Sequence, residues 1–513
     1  MNALDRFLPF LKKAEPPTDK QRLLAAAEPY PLDTPLLRLS PVDYWSVRDA
    51  CEGVFVTGAT GSGKSSGSGA AIAKAYLRAG MGGIVMCSKP EERLTWERYT
   101  RETGREKSLI LFSPAQKFKF NFLDYELRRE GKGGGQTENI LNLLTHIVEI
   151  AENQADSGGG EQFWNRAMRE LLRNTIDLLS LAKGTLTLED IVKLIATAPQ
   201  SLDEVGRLMS PAEAEAAGYE PTPQAVAWWN SSFCAECIDA ASRKEKTPLE
   251  IHDFTAAFRY FTKSYPAMSD RTRSGIVATF TSIADMLLHG FAWELFCTET
   301  TLIPEMAWTH GAVIVLDISV QEYHDLGRIL QGVFKFMFQR SVLARDVKQY
   351  PRPVFCWADE AQNFVSSFDF MAQAVARSAR LCTVYLTQNI SNFYSVLGSG
   401  KGESQTHAFI GNLQTKIFHA QSDRATNHYA SEVIGQEWTT AMNFSASAVE
   451  NSHNSQSSGG SEQVQYKLLP EAFSRLRKGG PQNGLQVDGI VFQGGRVWNA
   501  TGETYLKVVF KQG

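Results

Sequence analysis

One octapeptide combines the residue types that bind a phosphate chain. It consists of Gly58, Ala59, Thr60, Gly61, Ser62, Gly63, Lys64 and Ser65. This is the pattern G-x-x-x-x-G-K-[ST] without a mismatch. Glycines let backbone N–H groups turn toward an anion, the Lys64 ammonium can reach the β- and γ-phosphates, and the Ser65 hydroxyl can ligate Mg²⁺. The octapeptide therefore predicts a nucleotide site with ATP and Mg²⁺ as its cofactors.

The stretches on both sides of the octapeptide predict the structure that such a site needs. Residues 54–57, Val-Phe-Val-Thr, predict a buried strand, and residues 65–79, rich in Ala, Lys and Leu, predict a helix. The N-terminus of that helix adds a partial positive charge to the glycine loop. Strand, loop and helix together favour a phosphate cradle over a chance glycine-rich turn.

A pair of adjacent acids follows another apolar run. Asp359 and Glu360 come directly after 354–358, Val-Phe-Cys-Trp-Ala. In a nucleotide site an Asp at this place holds the Mg²⁺ shell, and the next Glu polarises the attacking water. Adjacent acids also suit the N-terminus of a helix, which is the alternative interpretation. With the phosphate loop upstream, we assign Asp359 and Ser65 to the metal and Glu360 to catalysis.

Gln388 ends the next apolar run, 383–387. An amide at the end of a neighbouring strand can contact the γ-phosphate and report its loss, although a polar residue can also simply end a strand. The His residues are few and dispersed, and no H-E-x-x-H or kinase motif is found. The chemistry that the sequence indicates is therefore ATP hydrolysis coupled to motion.

Apolar runs and helical segments alternate along much of the chain. Runs at 83–87, 108–112, 312–317 and 416–419 predict further strands. Their alternation with helices predicts an α/β fold with a central, mostly parallel sheet. Residues 489–510 predict an antiparallel hairpin.

The texture of the sequence divides the chain into four parts. Residues 1–35, rich in Pro and charge, predict an N-terminal tail, and 36–179 predict the first part of a nucleotide-binding domain. Residues 180–268 lack strand-like runs and predict an all-α inserted domain. The second part of the nucleotide-binding domain, 269–513, contains a Ser-, Asn- and Gly-rich stretch at 443–462 that predicts a mobile loop.

Charge and composition limit the possible partners. The 513-residue chain has a formal net charge of -4, so it has no overall basic field. A nucleic-acid partner would need local basic patches or a ring of subunits whose loops add together. The seven scattered cysteines are typical of a cytosolic protein, and no signal peptide or apolar run of about 18 residues is found.

Several segments beyond these motifs resemble one known family. Phe120–Asp124 reads Phe-Asn-Phe-Leu-Asp, 376–389 carries Ala-Arg-Ser and then Thr-Gln-Asn, and 410–418 reads Ile-Gly-Asn followed by Thr-Lys-Ile-Phe. Asp-Arg-Ala-Thr at 423–426 and Ile-Gly at 434–435 complete the succession. In this order they resemble the type IV secretion coupling proteins, the TraG/TraD/TrwB group of hexameric RecA-like ATPases.

The resemblance implies a fold, an activity and a set of partners. The fold is a RecA-like P-loop ATPase with an inserted all-α domain. The activity is ATP-driven translocation that delivers DNA, or a relaxase–DNA complex, to a secretion channel. The implied partners are DNA, a relaxase or accessory DNA-processing protein, components of the type IV secretion channel, and further copies of the chain in a hexamer. The implied location is the cytoplasm, with peripheral attachment to the inner membrane through partners.

The resemblance also implies an arginine finger at Arg377, which would act on the phosphate loop of a neighbouring subunit. Arg377 ends a helical stretch eleven residues before Gln388. Arg380, one helical turn further on, is the second choice. Both arginines could instead be solvated cations that the helix dipole favours at a C-terminus.

Two departures from the family keep other functions open. Family members commonly carry an N-terminal transmembrane pair, which this sequence lacks, and the family's Asp-x-Lys-like turn is Cys87-Ser88-Lys89 here. One alternative is a soluble HerA/FtsK-like DNA-pumping ATPase in plasmid maintenance, packaging or phage defence. Another is a non-catalytic adaptor that uses nucleotide only to assemble, although Glu360 argues against it.

Overall fold

One large sheet organises the part of the chain that the structure describes. The computed structural model describes residues 29–512 except 130, 132, 153–160, 206–217, 219, 221, 398–401 and 448–454. Its strands are β1 Pro35–Arg38, β2 Tyr44–Ser46, β3 Val54–Thr57, β4 Gly82–Met86, β5 Leu109–Phe112, β6 Val313–Leu316, β7 Val354–Ala358, β8 Leu381–Thr387, β9 Thr415–Phe418, β10 Gln436–Ser447, β11 Ser455–Tyr466, β12 Gln486–Gln493 and β13 Tyr505–Lys511.

The α-helices of the described part follow the strands in the expected alternation near both ends of the chain. They are α1 Val47–Cys51, α2 Ala70–Arg78, α3 Glu91–Glu102, α4 Phe122–Arg128, α5 Thr137–Glu152, α6 Glu161–Lys183, α7 Leu188–Thr197, α8 Leu202–Val205, α9 Pro223–Ser231, α10 Phe233–Arg243, α11 Pro248–Arg259, α12 Asp270–Leu287, α13 Gly290–Phe296, α14 Met306–Thr309, α15 Val320–Ala344, α16 Ser367–Val375, α17 Ser391–Val396, α18 Gly402–Asn412, α19 Arg424–Ile434 and α20 Pro470–Ser474.

The large sheet is mostly parallel, as the sequence predicts. Among the described residues its strand order is β13-β12-β9-β3-β8-β7-β4-β6-β5. The seven strands from β9 to β5 pair in parallel, and β12 and β13 add an antiparallel hairpin at the β9 side. The predicted α/β class, the strand at 416–419 and the hairpin at 489–510 are therefore confirmed.

Both faces of the sheet are covered by helices, because its central strands are apolar on both sides. In β3, Val54 and Val56 face the layer of α1, α2 and α3, whereas Phe55 faces the opposite layer, which contains α5 and α15. All of these side chains are fully buried. Near-continuous apolar runs are the pattern expected of buried parallel strands.

Helices fill the connection between β5 and β6. The predicted all-α insertion at 180–268 lies within this run, but the described helices extend beyond it on both sides, from α4 to α14. α12, which follows residue 268, packs on α5, α6 and α7. Helical spacing at 139–181 is visible in the sequence, yet it does not mark where one domain ends, so the boundaries at 179 and 268 stay predictions.

The prediction of a mobile loop at 443–462 is wrong for most of that stretch. β10 and β11 pair in an antiparallel ribbon with twelve residue pairs in register, from Gln436↔Tyr466 to Ser447↔Ser455. Residues 448–454 of the predicted loop lie outside the described residues. The Ser-, Asn- and Gly-rich composition misled the prediction, because it does not show the backbone pairing between two distant segments that forms these strands.

Of the predicted N-terminal tail, residues 1–28 lie outside the described residues, and β1 begins at Pro35. Within the described part, no single helix is long and apolar enough to cross a membrane. One pair, α12 with α13, meets the length and composition criteria together, but it is bent by 86°.

Candidate nucleotide site

The predicted site residues meet at the edge of the sheet where the parallel strands end. The phosphate loop follows β3, Asp359 and Glu360 follow β7, and Gln388 follows β8. Because β8 lies between β3 and β7, Gln388 emerges between the loop and the two acids. Ligands of open α/β sheets bind beyond the carboxyl ends of the strands.

The backbone of the phosphate loop depends on glycine at two positions. Gly61 and Gly63 have φ angles of 72° and 84°, a region that residues with a side chain rarely adopt. A Cβ atom at Gly63 would also lie 2.5 Å from Val487 Cγ2, and one at Gly58 would lie 2.4 Å from Ser62 Oγ. The predicted helix after the loop is confirmed as a π-helical turn, Ser65–Gly69, that leads into α2.

The loop also presents a polar atom that lacks a partner. Ser62 Oγ is buried and, within the described part, has no hydrogen-bond partner. A phosphate oxygen could accept a hydrogen bond from this hydroxyl, and it could also accept hydrogen bonds from the backbone N–H groups of the glycine loop. The loop therefore fits the phosphate chain that its sequence predicts.

Asp359 and Ser65 form the oxygen pair that was assigned to Mg²⁺. The Ser65 hydroxyl donates a hydrogen bond to Asp359 Oδ2, and Lys64 Nζ lies 3.6 Å from Asp359 Oδ1. A hydroxyl and a carboxylate at a phosphate loop are the ligands that Mg²⁺ takes in P-loop NTPases. The two side chains therefore fit the metal.

Glu360 is the residue on which the polar groups of the site converge. Its Oε1 lies 3.4 Å from Lys64 Nζ and accepts a hydrogen bond of 3.2 Å from Gln388 Nε2, while Oε2 accepts one of 3.1 Å from Gln362. Burial alone would raise the pKa of the Glu360 carboxyl. The Lys64 ammonium and the two amide hydrogen bonds outweigh burial and hold this pKa below its ordinary value.

The backbone at Glu360 is left-handed. Its φ and ψ angles are 52° and 51°, a conformation that costs a non-glycine residue about 1 kcal/mol or more. The residue ends the β7 segment and turns its side chain toward the loop, where it is 6% exposed. Strain of this kind is typical of functional sites.

Gln388 contacts both halves of the site. In addition to its bond to Glu360, its Oε1 accepts a hydrogen bond of 3.4 Å from the Thr60 hydroxyl of the phosphate loop. The side chain therefore bridges the loop and the acid, which a polar residue that merely ends a strand would not need to do. Its role as a sensor of the γ-phosphate stays a prediction.

Lys89 is a site residue that the motif search did not select. It follows β4, and its Nζ lies 3.7 Å from Glu360 Oε1 with half of the side chain exposed. The sequence does contain a signal for it, because a lysine that follows a central parallel strand emerges at the same edge as the other site residues. No phosphate-loop pattern includes this lysine, and its proximity to Glu360 is a finding of the structure.

The two candidate arginine fingers lie far from their own phosphate loop. Arg377 follows α16 and precedes β8, so it is at the opposite edge of the sheet, where it pairs with Glu52 at 3.3 Å. Its side chain is 57% exposed. Arg380 is 7% exposed and donates hydrogen bonds to the carbonyls of Tyr30 and Pro351. Arg380 therefore supports the fold, and Arg377 alone is available to another molecule.

Comparison with known proteins agrees with the resemblance drawn from the sequence. Residues 353–476, which include Asp359, Glu360 and Gln388, match the family model described as "TraM recognition site of TraD and TraG". No curated protein matches the chain at a significant level.

Solved structures of the coupling protein TrwB have a similar fold. The complex of this plasmid coupling protein with the GTP analogue GDPNP has a TM-score of 0.57 at 14% identity, over 92% of this chain and 88% of that one. The complex with ADP and Mg²⁺ has a TM-score of 0.55 at 14% identity, over 92% and 88%. The complex with the ATP analogue ADPNP has a TM-score of 0.53 at 14% identity, over 98% and 95%.

At 14% identity the solved structures show a similar fold, and the family model adds a match in sequence over residues 353–476. The chain has a mostly parallel sheet with a phosphate loop, and helices inserted between β5 and β6. The resemblance to the type IV secretion coupling proteins, with their RecA-like P-loop ATPase fold, is therefore confirmed.

Proposed function

We propose that the protein is an ATP-driven DNA translocase that acts as a coupling protein of a type IV secretion or conjugation system. The observation that carries the proposal is the meeting of Lys64 and Ser65 with Asp359, Glu360 and Gln388 at one edge of the sheet. A phosphate loop alone would support any nucleotide-binding protein. An ionised, buried glutamate next to that loop supports one that hydrolyses its nucleotide.

Each side chain of the site has a distinct task in this proposal. Lys64 would leave the carboxylates and neutralise the β- and γ-phosphates, and Ser65 and Asp359 would hold Mg²⁺. Bound Mg²⁺ supplies charge neutralisation on the phosphate oxygens. Glu360, ionised at neutral pH, would orient and deprotonate the attacking water, while Gln388 would report the state of the γ-phosphate to β8 and the loop.

DNA is the proposed cargo, and a ring of copies is the proposed assembly. With a net charge of -4, one chain offers little attraction to a phosphate backbone, whereas loops from several copies can add their cations. A relaxase or accessory protein and the secretion channel are the further partners that this function requires. Attachment to the inner membrane through those partners belongs to the same proposal.

Two substitutions test the activity with the full chain. Lys64→Ala should weaken ATP binding and abolish hydrolysis, because the substitution removes the ammonium group that would contact the β- and γ-phosphates. Glu360→Gln should bind ATP as the wild type does and lose turnover, because only water activation is removed. Hydrolysis is measured with and without DNA, and ATP binding with a fluorescent analogue.

The outcomes separate a DNA-translocating ATPase from an assembly adaptor. Wild-type hydrolysis that DNA stimulates supports a translocase. Glu360→Gln turnover near the wild-type rate would remove Glu360 from its role. A wild type that binds ATP and assembles without turning it over would be an assembly adaptor, and the proposal would be withdrawn.

A further inference from the structure

The antiparallel pair β10–β11, hereafter the ribbon, is separate from the large sheet. Within the described residues it forms a sheet of two strands only. Its base is closed by the Lys467 N–H, which donates to the Gly435 carbonyl at 3.1 Å. In such a pair, alternate residues of each strand direct their N–H and C=O groups outward. An isolated two-stranded hairpin has marginal stability in water, so the ribbon would gain stability from a further partner.

One face of the ribbon is apolar and exposed. Trp438 and Val464 are opposite each other in the register, and they are 72% and 50% exposed. Met442, four residues along β10 and therefore on the same face, is 68% exposed. Three large apolar side chains on one face of a projecting element are typical of a protein contact.

The charge of the ribbon excludes a DNA backbone as its partner. The two strands, 436–447 and 455–466, contain Glu437 and Glu462 but no Lys, Arg or Pro. Phosphates would be repelled, because binding of a nucleic acid backbone depends on cationic side chains. The absence of Lys and Pro also leaves the ribbon without the usual protection against pairing with another strand.

A surface of the same chain has the complementary character. β13 is the last strand of the large sheet, and its solvent face carries Lys507, Val509 and Lys511. Val509 is 49% exposed, and the Lys507 side chain, which also pairs with Asp488 of β12 at 3.1 Å, is 56% exposed. The ribbon of the same chain leaves this face open. Each copy therefore offers an apolar ribbon face that carries Glu462, opposite Thr440, and an apolar β13 face that carries Lys507 and Lys511. Glu437, next to Trp438 in β10, lies on the other face of the ribbon.

We infer that the ribbon of one copy docks on the exposed face and free edge of β13 in the next copy. The contact joins two different surfaces, so it repeats head to tail and can close a ring. This inference rests on the ring assembly proposed above and assigns the element that holds the ring together.

The first test removes the apolar face. Trp438→Ala/Met442→Ala should weaken self-association about tenfold or more, as measured by sedimentation or light scattering with an ATP analogue. Leu249→Ala, which truncates a 69% exposed side chain on α11, is the matched control and should associate like the wild type. Thermal unfolding and ATP binding of each monomer verify that the variants are folded.

The second test exchanges the charges. Glu462→Lys chains should fail to associate alone, and so should Lys511→Glu chains. A mixture should recover association, because alternation of the two chains opposes unlike charges at every contact. This recovery requires direct contact between the two faces, which a general loss of stability would not produce.

The outcomes keep this inference apart from the proposed function. Association of the Trp438→Ala/Met442→Ala chain at wild-type strength, or no recovery in the mixture, would overturn the ribbon contact even if the wild type hydrolyses ATP with DNA. Loss of DNA binding with normal association would identify the ribbon as a DNA element and also overturn it. A wild type that associates as described but turns over no ATP would instead contradict the proposed function alone.

Discussion

Two ammonium groups and one amide meet at a single carboxylate oxygen of Glu360. Lys64, Lys89 and Gln388 all approach its Oε1. In the proposed function Lys64 leaves the acid for the phosphates, so Glu360 would then depend on Lys89 and Gln388 for its position. Lys89 belongs to the segment after β4, and the Gly82–Met86 strand that carries this segment is entirely buried. A rigid base of this kind suits a positioning residue.

We therefore predict that Lys89→Ala lowers kcat and leaves ATP binding close to that of the wild type. A loss of about ten- to a hundredfold is expected, which is the size of effect that a misplaced reacting group produces. Lys89→Arg should restore part of the activity because it returns the cation. Steady-state kinetics and binding of a fluorescent ATP analogue make the measurement.

Lys107→Ala serves as the control, since Lys107 is an exposed lysine before β5. It should leave kcat unchanged. If Lys89→Ala raised KM and the ATP dissociation constant while kcat held, Lys89 would be a phosphate ligand and would not position Glu360.

At the scale of elements, His419 joins the phosphate-loop helix to the C-terminal hairpin. It follows β9, its Nδ1 donates to the Asp488 carbonyl of β12 at 2.8 Å, and its Nε2 accepts a hydrogen bond of 2.7 Å from Ser68. Burial lowers the pKa of His419 to about 4, although the hydrogen bond to the Asp488 carbonyl partly opposes this shift. The neutral ring is therefore the form that the fold accepts.

This pKa predicts a loss of stability in mild acid. Because the folded pKa is below the ordinary value of 6.5, the unfolded chain binds the proton first as the pH falls. The stabilisation is complete above about pH 6.5 and is lost between there and about pH 4, on the order of 3 kcal/mol at most. His419→Gln, which can keep both hydrogen bonds without titrating, should show a shallower fall in stability between pH 7.5 and 5.

Denaturant unfolding at several pH values makes this comparison. His289→Gln, at a side chain that is 73% exposed, is the control and should follow the wild-type curve. Parallel curves for the wild type and His419→Gln would show that protonation of His419 does not limit stability.

The elements also show where sequence reasoning succeeds. Apolar runs such as 354–358 predicted strands because both faces of a parallel strand are buried, and the glycine pattern at 58–65 predicted the loop because the backbone angles of Gly61 and Gly63 require it. The meeting of Ser65 with Asp359 followed from strands that end at one edge.

What the sequence could not predict depends on long-range pairing. The ribbon is mostly polar, and the few large apolar residues on one of its faces, such as Trp438 and Met442, are too sparse to indicate two paired strands. Lys89 needed its distance to Glu360, which only the order of the strands determines. The extent of the helical region depends on which helices pack together, as α12 does on α5 and α6.

At the scale of the whole molecule, the phosphate loop and Arg377, which the proposed hydrolysis needs together, lie at opposite ends of the strands of the sheet. The phosphate loop lies at the carboxyl ends of the strands, and Arg377 lies at the amino ends, beside Glu52. Since β3 and β8 are parallel, Arg377, which precedes β8, and the phosphate loop, which follows β3, lie a full strand length apart. An arginine at this place can act on a phosphate only in another copy of the chain.

We predict that Arg377→Ala binds ATP normally and fails to hydrolyse it, because a guanidinium from the neighbouring copy would stabilise charge on the transferred phosphoryl group. Arginine fingers contribute about 10³ to 10⁵ in rate. Rings that mix Arg377→Ala with Lys64→Ala chains should regain activity, since some of their interfaces join an intact loop to an intact arginine.

Arg271→Ala, at an exposed arginine of α12, is the control and should hydrolyse ATP at the wild-type rate. Mixed rings that assemble and stay as inactive as either parent would contradict action in trans. In that case the pair with Glu52 would be the whole role of Arg377, and Glu52→Gln should then reproduce the loss.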